Sequence, residues 1–371
     1  MQNQCGTSNG RGGANPQSRR RAPSFPLPLS PFALQPSRRR RAVTLIELLI
    51  TMTIMAIISA AILGTAAAAI ESSREKKTQS LITKIHTLLM ERYASYETRR
   101  VELDQRWITN LDGLNPTLRG QALADLRLLG LRELMKYEMP DRWSDAIGAK
   151  LGQSPVRPVF LSQLPPLAQT YIRRSQNATD ENEGAECLYL TIMMTTADGE
   201  ARSLFNKQDI GDTDNDGAPE FLDGWGKPIT YLRWAPGYFP RSSLVSGDGA
   251  NDHDPFDPYQ RDQPGAIPAS YSGSLSGLQN YVIGLRDQYP AFRLMPLVIS
   301  AGPDGEYDIL TSRDKVVNVV GANEISFNPY FIDSSLTPIV SGMPTYGLGM
   351  PDISDNTDTT KDNITNHDVQ Y

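Results

Sequence analysis

The chain has 371 residues, a formal net charge of −6 and two cysteines, so it is long enough for one large or two small domains and is not a disulfide-built miniprotein. The average charge hides an asymmetry: residues 1–42 contain eight arginines and no acidic residue, whereas residues 43–371 carry 28 basic and 42 acidic side chains, a net charge of −14. A segment this acidic repels phosphate, which argues against nucleic-acid binding.

The first predicted element is a membrane span. Residues 43–69 form an apolar run of 27 residues in which Glu47 is the only charged side chain. A helix crosses a hydrocarbon layer of about 30 Å with about 20 such residues, and arginine-rich flanks stay on the cytoplasmic side. We therefore predict a single-pass inner-membrane protein, with its N-terminus in the cytoplasm and the segment after residue 70 in the periplasm. A cleavable secretory signal, cut at the alanines 66–69, is the alternative, although its apolar core would be about 7 to 15 residues long.

The junction between the basic segment and the apolar run resembles the class III signal of type IV pilins and type II secretion pseudopilins. The matching residues are Arg41, Ala42, Val43, Thr44, Leu45, Ile46, Glu47, Leu48, Leu49 and Ile50. The resemblance implies that prepilin peptidase removes residues 1–42 by cutting between Ala42 and Val43, then methylates Val43. It also implies that the processed chain assembles with other pilin or pseudopilin subunits on an inner-membrane platform. Family members usually have glycine before the cut and phenylalanine after it, so this chain departs from the pattern at both positions.

Glu47, the fifth residue after the implied cut, has a physical role in this setting. An ionisable side chain at membrane depth is costly and usually has a partner. The freshly cut α-amino group of a neighbouring subunit supplies one, and helix packing in a filament would then neutralise both groups. The alternative is that Glu47 reaches the cytoplasmic interface, because it lies only four residues from the start of the apolar run.

The helical pattern continues beyond the membrane span of residues 43–70. Residues 71–100 contain neither proline nor glycine, and apolar side chains recur there at spacings of three and four, which predicts one amphipathic stripe. We expect a helix over residues 44–98, roughly 80 Å long at 1.5 Å per residue. Its first half would lie in the membrane or filament core, and its second half would pack under a globular domain.

The segment that follows is predicted to be a helical and variable insertion, residues 101–185. It contains one strongly periodic stretch at 117–137 and five prolines between residues 140 and 166. The C-terminal tail, residues 334–371, lacks a sustained apolar pattern and is predicted to be flexible.

A β-rich part is predicted between the insertion and the tail, at residues 186–333. A stretch rich in proline, glycine, serine and aspartate at 238–278 indicates a long loop. β-Branched and aromatic residues predict four strands. These lie at residues 186–196, 229–234, 295–300 and 307–311.

Two further segments resemble major pseudopilins. Residues 223–231 resemble their D-x-W-G-x-P-x-x-Y segment, where a turn leads into a sheet strand, and residues 298–308 resemble their S-x-G-x-D-G loop, which in the family carries calcium. Together with the leader these are three matches in the family's order. They imply an α+β, pilin-like fold: a long N-terminal helix packed on a small antiparallel sheet, here with a helical insertion and long loops.

An acidic loop at residues 212–223 reads D-x-D-x-D-G, with carboxylates at its ninth and twelfth positions. This is the ligand pattern of an EF-hand calcium loop, including the glycine at position six. The candidate ligands are Asp212, Asp214, Asp216, Glu220 and Asp223. Pro219 would break an exiting helix, so we predict a calcium loop without EF-hand helices; the alternative is an acidic, solvated turn. A second, weaker candidate set is Ser300, Asp304 and Asp308 in the loop at 298–308.

No catalytic residues are predicted. Three histidines and one cysteine after the leader are too few for a convincing zinc site or cysteine nucleophile, and no nucleotide-binding or serine-hydrolase motif is present. We therefore predict a structural subunit of a type II secretion pseudopilus or a type IV pilus-like filament for protein secretion, rather than an enzyme. The alternative is a membrane-anchored, calcium-stabilised binding or adhesion module that does not assemble.

Overall fold

The computed structural model describes residues 43–148, 154–195, 200–263, 291–311, 329–330, 348–351 and 361–368. Ala42 and the basic leader lie outside these residues, as do positions 264–278 of the predicted long loop. The chain divides into two compact units, Met1–Ala61 and Ile62–Tyr371. The fold is α+β and pilin-like, as predicted: one long N-terminal helix with several shorter helices and small antiparallel sheets.

Helix α1 comprises Leu45–Ser95, 51 residues, and the 3-10 turn Tyr96–Thr98 follows it directly. The predicted helix over 44–98 is confirmed. Its apolar part is long and apolar enough to cross a membrane, and none of that window is buried. In the first unit every large apolar side chain of residues 45–61 is exposed, by 48% at Ile50 to 83% at Leu45. An apolar surface of this size favours a lipid or protein environment over water.

In the second unit, α1 buries one stripe at the predicted spacing of three and four. The buried residues are Thr78, Leu81, Ile82, Ile85, Leu89 and Tyr93. Each fully buried leucine or isoleucine stabilises the folded state by about 1.5–3 kcal/mol. The amphipathic half of the helix is therefore one wall of the main hydrophobic core.

The insertion is helical, as predicted. It contains α2 (Gln105–Thr109), α3 (Pro116–Glu138), α4 (Trp143–Ile147) and α5 (Pro166–Arg174). Asn115 caps α3 by accepting a hydrogen bond from the backbone N–H of Leu118 at 2.9 Å. The second half of α3 is buried on every side, so the insertion belongs to the core.

Helix α6 (Glu183–Thr195) occupies the place of the strand predicted at 186–196, and that prediction is wrong. Its residues are apolar and β-branched, which favours a strand, but α6 is buried and packs against strands β2 and β3. Burial on all sides removes the amphipathic period that distinguishes a helix, and a short apolar run then fits either structure. The short helix α7 (Glu200–Leu204) follows.

Two small antiparallel sheets complete the fold. Strands β1 (Ile210–Gly211) and β2 (Glu220–Phe221) form a hairpin around the acidic loop. Strands β3 (Thr230–Leu232), β4 (Leu297–Ser300) and β5 (Ile364–Thr365) form a three-stranded sheet in the order β3-β4-β5. The predictions at 229–234 and 295–300 are confirmed. Over its described residues, the strand predicted at 307–311 reduces to one bridge between Ile309 and Pro351, so that prediction is wrong.

Within the tail predicted to be flexible, 334–371, the structure describes residues 361–368, which hold the edge strand β5. Asn366 is fully buried and adds side-chain hydrogen bonds to the backbone pairing: its Oδ1 accepts from the N–H of Val298 at 2.7 Å, and its Nδ2 donates to the carbonyl of Pro296 at 2.9 Å. Side-chain hydrogen bonds of this kind leave no apolar pattern in the sequence.

Buried arginines join the helical insertion to the sheet. Arg233, which follows β3, is fully buried; its Nη2 lies 2.5 Å from an Asp145 carboxylate oxygen and its Nη1 donates to the carbonyl of Met139 at 2.6 Å. Arg132 on α3 likewise contacts Asp262 at 2.5 Å and Asp254 at 3.0 Å. Charged groups this deep require their partners, because an unpaired buried charge is strongly destabilising.

Candidate functional site

The N-terminal end of α1 carries the residues implied in processing and assembly. Val43, the first described residue, precedes the helix and is 64% exposed. Thr44 caps the helix, because its Oγ1 accepts from the backbone N–H of Glu47 at 3.3 Å. Glu47 is exposed in the first turn, where the helix dipole favours a negative charge. Within the described residues Glu47 forms no ion pair.

The turn after β2 is fixed to the amphipathic half of α1. Asp223 organises the turn, because its Oδ1 accepts from the backbone N–H groups of Trp225 and Lys227 at 2.8 and 2.9 Å. The backbone N–H of Gly224 donates to Oγ1 of Thr78 on α1 at 2.8 Å. This turn leads into β3, as the resemblance to the D-x-W-G-x-P-x-x-Y segment implies.

A substitution at Gly224 tests the contact between this turn and α1. A Cβ at position 224 would lie 2.4 Å from the backbone oxygen of Arg74, and helix backbone cannot move aside cheaply. We expect Gly224→Ala to lower the free energy of unfolding by about 1–3 kcal/mol, the usual cost of overpacking. Gly120 in α3 has nothing within 4 Å of its added Cβ, so Gly120→Ala should stabilise by up to about 1 kcal/mol. Thermal melting of the two variants would show opposite shifts, and equal shifts would contradict the contact.

The acidic loop between β1 and β2 gathers carboxylates in two overlapping groups. In each group the candidate ligand atoms lie within 4.8 Å of one another: Asp212, Asp214 and Asp216 form the first, and Glu186, Asp214 and Glu220 form the second. Four of these five residues were predicted. Glu186 was missed, because α6 was expected to be a strand and Glu186 is 26 residues from Asp212 in the chain.

The loop is held in place by its own backbone and by the segment before α6. Asn215 and Gly217 adopt positive φ angles of 61° and 96°, which glycine and asparagine accept most readily. The backbone N–H of Thr179 donates to Asp216 at 2.8 Å, and that of Thr213 donates to Glu220 at 3.0 Å. The carboxylates therefore converge because two separate segments position them.

Burial and mutual repulsion raise the pKa values of two carboxyl groups in the cluster. Burial, with repulsion from Asp216 and Asp214, raises the pKa of Glu186 to about 9. Burial, with Asp214 and Asp212 nearby, raises the pKa of Glu220 to about 7. A bound cation would stabilise the ionised forms of these two carboxyl groups.

Asp223, the predicted fifth ligand of the loop, belongs to neither group. It is buried, and its Oδ2 accepts a hydrogen bond from Oγ of Ser300 at 2.7 Å. The chain enters β2 at Glu220, so position twelve lies beyond the strand and begins the turn toward α1. Ser300 is consequently engaged with Asp223 rather than turned to a cation.

The second predicted loop holds Asp304 and Asp308 after β4. Asp304 Oδ1 accepts from the backbone N–H of Glu306 at 3.0 Å. The tail adds a third acid, Asp362, whose pKa is raised by burial and by repulsion from Asp304 and Asp308. No three carboxylates of this loop form a metal-sized group among the described residues, so calcium binding there stays a prediction.

Comparison with known proteins identifies the N-terminal segment. Residues 37–63 match the family model described as the prokaryotic N-terminal methylation motif. This motif supports the resemblance to pilins and pseudopilins and indicates a type IV pilin-like or pseudopilin precursor. It also implies processing by prepilin peptidase and assembly with other pilin subunits. No curated protein and no solved structure matches the chain significantly.

Proposed function

We propose that this type IV pilin-like precursor is cut between Ala42 and Val43, methylated on Val43, and assembled as a subunit of a type II secretion pseudopilus or a related type IV pilus-like filament. The observation that carries the proposal is the methylation motif at residues 37–63. The motif covers the last arginines of the leader, the implied cut, Glu47 and the start of the apolar helix.

The exposed apolar surface of residues 45–61 supports assembly. The apolar side chains of this part of α1 are exposed within their own chain. A bilayer can cover them, and so can the helices of neighbouring subunits. The subunit can therefore be stored in the membrane and then packed into a filament core. Four arginines at positions 38–41 favour storage with the leader in the cytoplasm and the second unit in the periplasm.

Fractionation of the producing cells tests the proposal. The mature chain should appear both in the inner membrane and in a filament fraction released by mechanical shear. Its presence in filaments together with other pilin-like subunits would support the proposal. A chain that stays wholly in the membrane, whatever the assembly machinery, would favour the membrane-anchored binding or adhesion module instead.

A further inference from the structure

Glu186, in the first turn of α6, has one carboxylate oxygen without a hydrogen-bond partner in the described structure. The side chain is fully buried, its Oε2 accepts from the indole N–H of Trp143, and its Oε1 is the orphan. A buried carboxylate oxygen without a partner is costly. The orphan therefore calls for a ligand on the side of Glu186 that faces the acidic loop.

The surroundings of Glu186 identify the kind of ligand. Its candidate ligand atom lies within 4.8 Å of those of Asp214 and Glu220, and Asp214 is shared with Asp212 and Asp216. Two oxygens bound to one calcium ion at 2.3–2.6 Å can be at most about 5.2 Å apart. The spacing within each group of three thus suits a shared ion, and Asp214 belongs to both groups.

Within the described residues, the cluster lacks the arginine partners that several other buried acids have. Several other buried acids have arginine partners: Asp125 pairs with Arg261 at 2.6 Å, and Glu138 pairs with Arg92 at 2.6 Å. Among the described residues, none of the five cluster carboxylates forms an ion pair with a lysine, arginine or histidine. Ionised carboxylates this close repel one another in a partly buried site, and a bound cation offsets that repulsion while the carboxylates keep their charge.

We infer that a single calcium ion binds Asp212, Asp214, Asp216 and Glu220 of the acidic loop together with Glu186 of α6. The site joins helix α6, and through it Trp143 of α4, to the β1–β2 hairpin. It lies wholly within the second unit and does not depend on filament assembly.

Calcium fits the donor set better than magnesium. All five donors are carboxylates, they come from a loop and a separate helix, and calcium accepts six to eight oxygens in adaptable geometry. Magnesium requires a near-ideal octahedron at 2.0–2.1 Å and keeps several of its waters.

Calorimetric titration of the full chain in detergent, stripped with a chelator, tests the inference. Calcium should bind with a stoichiometry of one at this site, and Glu186→Gln should weaken its affinity about tenfold or more, because affinity follows the number of charged ligands. Glu181→Gln removes one charge from an exposed position five residues away and should change affinity less than twofold. Equal affinity in Glu186→Gln and the parent, or equal affinity for magnesium and calcium, would overturn the inference.

Thermal melting distinguishes a calcium ligand at Glu186 from a residue whose role is only structural. In chelator, Glu186→Gln should melt at or above the parent temperature, because glutamine keeps the side-chain shape and cannot ionise beside the other carboxylates. In calcium the order should reverse, since a ligand that binds the folded state stabilises it by mass action. A Glu186→Gln variant that is equally destabilised in both buffers would contradict the inference.

Asp212→Asn provides a second variant that does not touch the core. Asp212 is exposed and accepts from the backbone N–H of Gly217 at 3.1 Å, a bond that asparagine can keep. We expect it to weaken calcium binding about tenfold with the chelator-state melting temperature unchanged. Parent-like affinity in this variant would exclude the loop as the calcium site.

Discussion

Replacing Glu47 with alanine should leave the chain processed and membrane-bound but should reduce its amount in sheared filaments by at least about tenfold. The carboxylate is exposed on an apolar helix and forms no ion pair within the described part of its own chain. In a packed filament core it would face the methylated α-amino group of a neighbouring Val43. Without Glu47 that amino group would be buried unpaired, at a cost of about 3–5 kcal/mol, and each 1.4 kcal/mol corresponds to about a factor of ten in the equilibrium constant.

Two further variants isolate the charge of Glu47 from its shape. Glu47→Gln keeps the size and hydrogen-bonding capacity of the side chain, so it should assemble almost as poorly as Glu47→Ala if the ion pair is what matters. Glu91→Gln removes one charge from an exposed position in the amphipathic half of α1 and should assemble normally. Parent-like filament levels in both Glu47 variants would contradict the assigned role.

Removing the buried arginine that joins α4 to β3 should give the largest loss of stability. We expect Arg233→Ala to lower the free energy of unfolding by about 3–5 kcal/mol. The change deprives Asp145 of its 2.5 Å partner and the Met139 carbonyl of its donor, and it removes a guanidinium that lies 4.3 Å from the centre of the Trp234 ring. Thermal and urea unfolding of the full chain in detergent would measure the loss.

Lysine at the same position tests whether geometry or charge dominates. Arg233→Lys keeps the charge but cannot bond to Asp145 and the Met139 carbonyl through a planar fork, so it should fall between the parent and Arg233→Ala. Arg202→Ala on the exposed face of α7 should change stability by less than about 0.5 kcal/mol. A loss below about 1 kcal/mol for Arg233→Ala would show that the buried pair contributes little.

The elements that could be predicted from the sequence are those whose own residues show a helical period or a strand-like composition. The apolar run and the stripe at 81–96 identify α1, because the helical period is visible over many turns. Strands β3 and β4 are short, but β-branched and aromatic residues mark them. Helix α6 lacks a period because it is covered on all sides, and β5 is recognised through Asn366, whose partners lie 68 and 70 residues away.

The acidic loop was predictable for the same local reason, since its aspartates alternate within one short segment. Two features of the site were not predictable. The sequence pattern places Asp223 at the last ligand position of the loop, whereas the chain forms β2 and then turns toward α1. Glu186 joins the loop only through the packing of α6 on β2, which depends on contacts between distant parts of the chain.

We propose that residues 37–63 direct processing to the Ala42–Val43 bond, and mass spectrometry of the N-terminal peptide from the membrane-associated protein tests this processing most directly. The expected peptide begins at Val43 and carries one methyl group on its α-amino nitrogen. A peptide that begins at Met1, or one produced by a cut near Ala69, would contradict it.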